Sequence, residues 1–276
     1  MRNVLEGFME SIEVDKLGKV NEFNTYRQSA NVFLHCMKKF EYLREILKNK
    51  AIIPRYNVEN IEYLQLKEME EIAFPMICFC DIFLTRIKWH MMSYGKYGIG
   101  LDKNFCIAQG MNPIQYVNEH SQLVRDLRGT MLKLCQDIDA TNEVYCDQLM
   151  HNLLYMKPIC GPMKTGNNQN KQTLFIDERE WRYIPKIDAS KTEMELVLYG
   201  DAKVSEKIKL YSDAMKYYKS GWLYLDADSI KYILVRNDKD VARMIKYIKK
   251  LDSWNEEEKS ILISKLIRYD TLKEDM

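Results

Sequence analysis

The chain has 276 residues and carries 41 Lys plus Arg against 40 Asp plus Glu, a formal net charge of +1. So even a balance gives no reason to expect a nucleic acid or an anionic membrane surface as partner. With 46% hydrophobic residues and few prolines and glycines, the composition excludes a largely disordered chain. The expectation is one α+β domain over 1–276, with flanking helices on a mixed, largely antiparallel sheet.

Seven cysteines are an odd number, and a chain this long does not depend on disulfides. Residues 1–14 are broken by Glu6, Glu10 and Glu13, so they lack the apolar stretch of a signal peptide. The densest apolar run, 72–80, contains Pro75 and falls well short of a membrane span. Reduced cysteines and a cytoplasmic location are the resulting expectations.

In chain order, Val4, Leu5, Phe8, Met9 and Ile12 mark a loosely amphipathic helix. The stretch 31–37 suits a buried strand, and Phe40, Leu43, Ile46 and Leu47 then recur at helical spacing. A short strand over 51–53 is closed by Pro54, and 55–72 reads as polar and irregular. The strand 74–80 is too apolar for a sheet edge and is expected to be central. A helix over 84–94 ends at Gly95, and the strand 97–101 holds two glycines that leave room for a backbone or a ligand. A short helix over 103–109 and a strand over 113–117 follow.

Within 119–157 the apolar spacing changes to that of two amphipathic helices, one through Leu123, Leu127 and Met131, the other through Val144, Leu149 and Leu153. This predicts an inserted helical hairpin. The stretch 166–171 (GNNQNK) is loop-like. Strands are expected over 174–185, 193–198, 222–225 and 232–235, and helices over 205–219, 240–251 and 256–268. Asn255 caps the last helix.

Three features carry candidate chemistry. His35 lies in an apolar strand, where an imidazole is usually a core residue bonded to backbone. A neutral imidazole also donates and accepts, so it can hold ribose hydroxyls. The second feature is Glu178 and Glu180, which share one face of a strand with Arg179 on the other. Two close carboxylates repel, which raises one pKa towards neutrality, and one could stabilise an oxocarbenium-like centre. The plainer alternative is a solvated edge strand whose Glu–Arg pairs are worth little.

The third is Cys78 and Cys80, followed by His90 and the tyrosines Tyr94 and Tyr97. No second cysteine pair has zinc spacing and the histidines are scattered, so no metal is expected. A Cys80–His90 nucleophile pair stays open, and either tyrosine could stack on a flat ring or simply fill the core. Gly98 and Gly100 lack the setting of a dinucleotide fingerprint, and there is no P-loop.

Four strings resemble the AbiGi family of bacterial abortive-infection proteins: FLHCMKKFEYLREILKNKAIIPRY at 33–56, FPMICFCDIFLTRIKWHMMSYGKYGIGLDK at 74–103, NPIQYV at 112–117 and DEREWRYIP at 177–185. The family is generally described as the antitoxin-like partner of a nucleotidyltransferase-like toxin, so the resemblance implies a protein partner: a toxin, an antitoxin or a phage protein. The layout is also similar, more distantly, to ADP-ribosyltransferase-like folds. That likeness implies NAD as substrate, Glu180 as catalytic carboxylate and Glu178 as its companion. His35, Tyr94, Tyr97 and Arg55 would be the cofactor contacts. The middle strand lacks the Ser-Thr-Ser motif of the arginine-modifying members. Two functions follow as expectations: an NAD-dependent transferase-like protein of phage defence, in which His35 and Glu180 share one cleft, or a non-catalytic antitoxin or sensor with an exposed apolar patch.

Overall fold

A computed structural model describes residues 29–67, 69–136, 140–163, 172–199 and 204–274. The expected N-terminal helix and the 166–171 loop lie outside the described residues. Strand β1 (Val32–Met37) runs into helix α1 (Phe40–Asn49), which buries Phe40, Leu43, Ile46 and Leu47 at the spacing that predicted it. Then come β2 (Ala51–Ile52), β3 (Arg55–Asn60), the ten-residue β4 (Glu71–Cys80), α2 (Lys88–Tyr94), β5 (Tyr97–Asp102) and α3 (Lys103–Ala108). Two short strands, β6 (Asn112–Pro113) and β7 (Gln115–Val117), lead into the hairpin α4 (Gln122–Gln136) and α5 (Ala140–Leu153).

The chain returns through β8 (Met156–Pro158), β9 (Cys160–Pro162), β10 (Gln172–Leu174), β11 (Glu180–Tyr183) and β12 (Leu198–Tyr199). Helix α6 (Val204–Ala214), β13 (Leu223–Tyr224) and β14 (Ile230–Val235) follow. The described chain closes with α7 (Asp238–Ile248), α8 (Glu256–Ser264), β15 (Leu266–Arg268) and α9 (Tyr269–Glu274).

The fold is α+β with a mixed, mostly antiparallel sheet. Its order is β15-β14-β5-β1-β4-β11-β6, with β3 and β12 also paired to β4, and only β14–β15 is parallel. β4 is central, as its apolar sequence predicted. Pro75 falls between the stretch paired to β12 (Ile72, Ala73) and the stretch paired to β11 (Ile77 to Cys80). A residue without an N–H therefore sits where that edge of β4 needs no donor. The hairpin is closed at its base by the parallel pair β7–β8, with Gln115 opposite Met156.

Cross-strand partners share a face of the sheet. Phe33, Phe79, Ile99 and Ile233 lie on one face and pack against α1, α7 and α8. Leu34, Cys80, Glu180 and Arg182 lie on the other. On that second side Val124 and Met131 of α4 join Phe74 and Met76 in a separate apolar cluster. No helix among the described residues is long and apolar enough to cross a membrane.

Several expectations needed correction. Part of 55–72 is the strand β3, whose polar residues hid it: only one of its side chains, Tyr56, is buried. The helix over 84–94 is a 3-10 turn (Leu84–Arg86) followed by α2. The run 174–185 is broken by a 3-10 turn (Phe175–Glu178) before β11 begins. Little of 193–198 is strand, since pairing starts at Leu198. The last helix is capped by Asn255 in a capping box as expected, yet stops at Ser264 because 266–268 pairs with β14. The glycines of β5 serve packing: the ring of Tyr232 lies 3.1 Å from where a Cβ on Gly100 would stand.

Gly95 separates α2 from β5 at φ +124, and a Cβ there would stand 2.1 Å from the Met37 carbonyl oxygen. Gly95→Ala is expected to cost more than about 3 kcal/mol, since backbone strain and a clash with main chain add. Gly110→Ala, at φ +79 with open space around it, should cost about 1–2 kcal/mol. Urea denaturation of the two variants measures the contrast.

Candidate functional site

β11 supplies Glu180 and Arg182, two residues apart and so on one face of the sheet. Glu178 reaches the same place by another route. It ends the 3-10 turn, and Arg179 then takes a left-handed conformation, φ 45, before β11 starts. This costs a non-glycine residue about 1–2 kcal/mol. The reversal brings both carboxylates to Lys157 of β8, whose Nζ lies 2.8 Å from Glu178 and 3.1 Å from Glu180.

Arg182 is fully buried. Its Nε donates to Glu180 Oε1 at 2.6 Å and its Nη1 to the Leu154 carbonyl at 2.6 Å. Nη2 lies 3.1 Å from Glu59 of β3, an ion pair without hydrogen-bond alignment. Tyr94 donates its hydroxyl to Glu178, and the Glu180 amide donates to the Tyr116 hydroxyl at 2.8 Å. Lys157 also stands 4.5 Å from the centre of the Phe175 ring.

Glu59 pairs across from Ile72 and Arg182 from Cys78, six residues apart on β4. A straight strand would separate those positions by about 20 Å, more than the two side chains can span. β4 therefore curls around the network.

Burial disfavours the Glu180 carboxylate, but Arg182 and Lys157 outweigh it and hold the group far below the usual glutamate range. Burial likewise opposes the Lys157 ammonium, and Glu180, Glu59 and Glu178 outweigh it to hold Lys157 well above the lysine range. Burial and the neighbouring Glu178 keep the Tyr94 phenol protonated. The raised pKa expected of one glutamate is not met at Glu180, which is lowered instead because Arg182 and Lys157 both pair with it. The edge-strand alternative fails as well, since β11 is flanked by β4 and β6.

Of the residues singled out in the sequence, the structure brings together Glu178, Glu180 and Tyr94. His35 lies on the opposite face, paired with Ile99, its ring 5.6 Å from that of Phe79 and its Nδ1 2.8 Å from the Cys78 carbonyl. Burial lowers its pKa. The expectation that His35 and Glu180 share a cleft is not met, because the pleat turns them to opposite sides. Tyr97 is on the His35 side, donating to Asp240 of α7 at 2.8 Å. Arg55 is exposed at the start of β3, with its charge felt by Asp213 of α6.

Cys80 and His90 do interact, yet Cys80 is fully buried and burial pushes its thiol well up. An activated nucleophile needs the reverse. Among the described residues no three His, Cys, Asp or Glu side chains group as metal ligands. Glu59 and Lys157 carry no mark in the sequence, and Arg182 is visible there only as part of the charged run 177–183. The Glu180–Arg182 spacing was a usable signal for a pair on one face, whereas Lys157 and Glu59 arrive from distant segments.

The network is flanked by two cavities. The larger, about 680 Å³, is lined by Trp89, His90, Tyr94 and Glu178 among others. The smaller, about 320 Å³, touches Tyr116, Glu180 and Trp181.

Comparison with known proteins locates the chain in a family. Residues 50–236 match a family model whose description proposes an "abortive phage resistance protein AbiGi, antitoxin". The chain belongs to the AbiGi family. A curated AbiGi-family relative, "Abortive phage resistance protein AbiGi" of Lactococcus lactis subsp. cremoris, is 33% identical over 250 residues, covering 82% of this chain and 99% of the relative. The match to the family model takes in Glu59, Lys157, Glu178, Glu180 and Arg182, so the whole ion network lies within the AbiGi region. No solved structure matches, and the ADP-ribosyltransferase-like likeness gains no support from one.

The acid sensitivity of this network has a definite sign. Glu180 is held below its ordinary value of 4.5, so its contribution is complete above that pH and is lost as pH falls below it. Stability measured by urea unfolding should therefore decline from pH 5 towards about pH 2. Arg182→Met leaves Glu180 and Glu59 short of a cation and should remove about 3–5 kcal/mol at pH 7 while flattening the acid decline.

Proposed function

We propose that this chain acts in abortive phage resistance as an antitoxin, by binding a protein toxin rather than by chemistry of its own. The observation that carries this reading is the ion pairing of the two glutamates. Glu178 and Glu180 are both ion-paired to Lys157, and Glu180 also to Arg182, in a buried network. Glu180, held ionised between two cations, is poorly suited to accept or donate a proton near neutrality. Membership of a family described as an antitoxin points the same way.

The hairpin is the surface we assign to the toxin. α4 turns Val124 and Met131 inward while Leu123 and Leu132 stay exposed, and α5 exposes Val144 and Tyr145. Large apolar side chains left in water along one insertion are a common mark of a protein-binding face. The insertion is anchored where it returns to the sheet, through the Arg182 bond to Leu154 and the Lys157 ion pairs.

A second reading, NAD turnover, keeps Glu178 and Tyr94 as cavity-lining residues and loses His35, Tyr97 and Arg55 from the site. Consumption of NAD by the purified chain would favour it over the antitoxin reading.

Val144→Glu with Tyr145→Glu places two charges on the exposed side of α5. Stability should change by no more than about 0.5 kcal/mol per site, while affinity for the toxin of the same defence system falls by roughly tenfold or more. Calorimetric titration and growth rescue in cells expressing that toxin measure both consequences. Unaltered affinity would remove the hairpin from the interface.

A further inference from the structure

The larger cavity is built from chemistry that the antitoxin reading does not use. Its inner wall is the Tyr94–His90 pair, with ring centroids 4.5 Å apart and planes tilted by 35°. Beside it stands Glu178, 8% exposed, with its carboxylate held by Tyr94 and Lys157. Trp89, 73% exposed, and Arg86 lie at the outer part of the same cavity. The volume of about 680 Å³ is in the range of small-molecule sites.

We infer that this cavity binds a nucleoside monophosphate, a flat base joined through ribose to one phosphate. Each part of the ligand meets a matching group. Aromatic rings stack on a base and are sequence-tolerant because every base has a π face. A carboxylate that already accepts two hydrogen bonds retains lone pairs for ribose hydroxyls or an exocyclic amine. The exposed guanidinium of Arg86 is the planar donor that suits phosphate. Trp89 gains a partner for a ring that otherwise stands in water. The inference is independent of the hairpin interface, since the cavity lies between α2 and the turn that precedes β11.

The test is calorimetric titration of the full chain with AMP, adenosine and inorganic phosphate separately. AMP should bind saturably, and adenosine and phosphate should each bind at least roughly tenfold more weakly. Trp89→Ala and Arg86→Ala alter exposed side chains outside the ion network, so both should keep the wild-type unfolding midpoint. Each should weaken AMP by roughly tenfold. Absence of saturable AMP binding, AMP binding unchanged in both variants, or phosphate binding as tightly as AMP would each overturn the inference.

Discussion

Five charged side chains meet where water is nearly excluded, and the rest of the structure is arranged around that fact. Isolated charges there would be prohibitive, so each must find partners, and the partners come from distant parts of the chain. Glu59 comes from β3, Lys157 from β8, Glu178 from the turn before β11, and Glu180 and Arg182 from β11 itself. Satisfying them together requires β4 to curl, Arg179 to adopt a left-handed backbone, and the hairpin to return at one place. Replacing such a network by apolar residues is often neutral or stabilising in other proteins. Here it ties β3, β8 and β11 together where the α4–α5 hairpin returns to the sheet.

Much of the scaffold was legible because its signals are local. Helical spacing in 40–47, the run 74–80 and the Asn255 cap each settle an element within a few residues of themselves. β3 and β15 were hidden for a physical reason. β3 alternates, with Tyr56 and Val58 on one face and Arg55, Asn57 and Glu59 on the other, but two apolar residues are too short a signal. β15 is three partly buried residues made into a strand only by β14 beside it. The candidate site was half legible. The charge-rich segment at 177–183 stands out in the sequence, but reading it as a uniform strand misses the 3-10 turn and the left-handed Arg179. Two carboxylates so close look like a repelling pair because Lys157, the cation that pairs with both, lies 21 residues before Glu178.

The same geometry separates the two functions that the sequence left open. An NAD-directed site with His35 opposite Glu180 would need both on one side of the sheet, and the register between β1, β4 and β11 turns them apart. Binding a protein makes no such demand. It needs a stable platform with exposed apolar side chains, and a hairpin fastened by a buried ion network supplies one. The cavity lined by Trp89, Tyr94 and Glu178 lies beside that network, and Glu178 belongs to both.

The central claim is that Glu180 holds the structure together and does no chemistry, and Glu180→Gln tests it most directly. The measurement is unfolding free energy together with toxin neutralisation per folded molecule. The account predicts a loss of about 3–5 kcal/mol, because Arg182 and Lys157 lose their shared carboxylate, with neutralisation by the remaining folded protein unchanged. A variant of wild-type stability that no longer neutralises the toxin would contradict it and return the carboxylate to a chemical role.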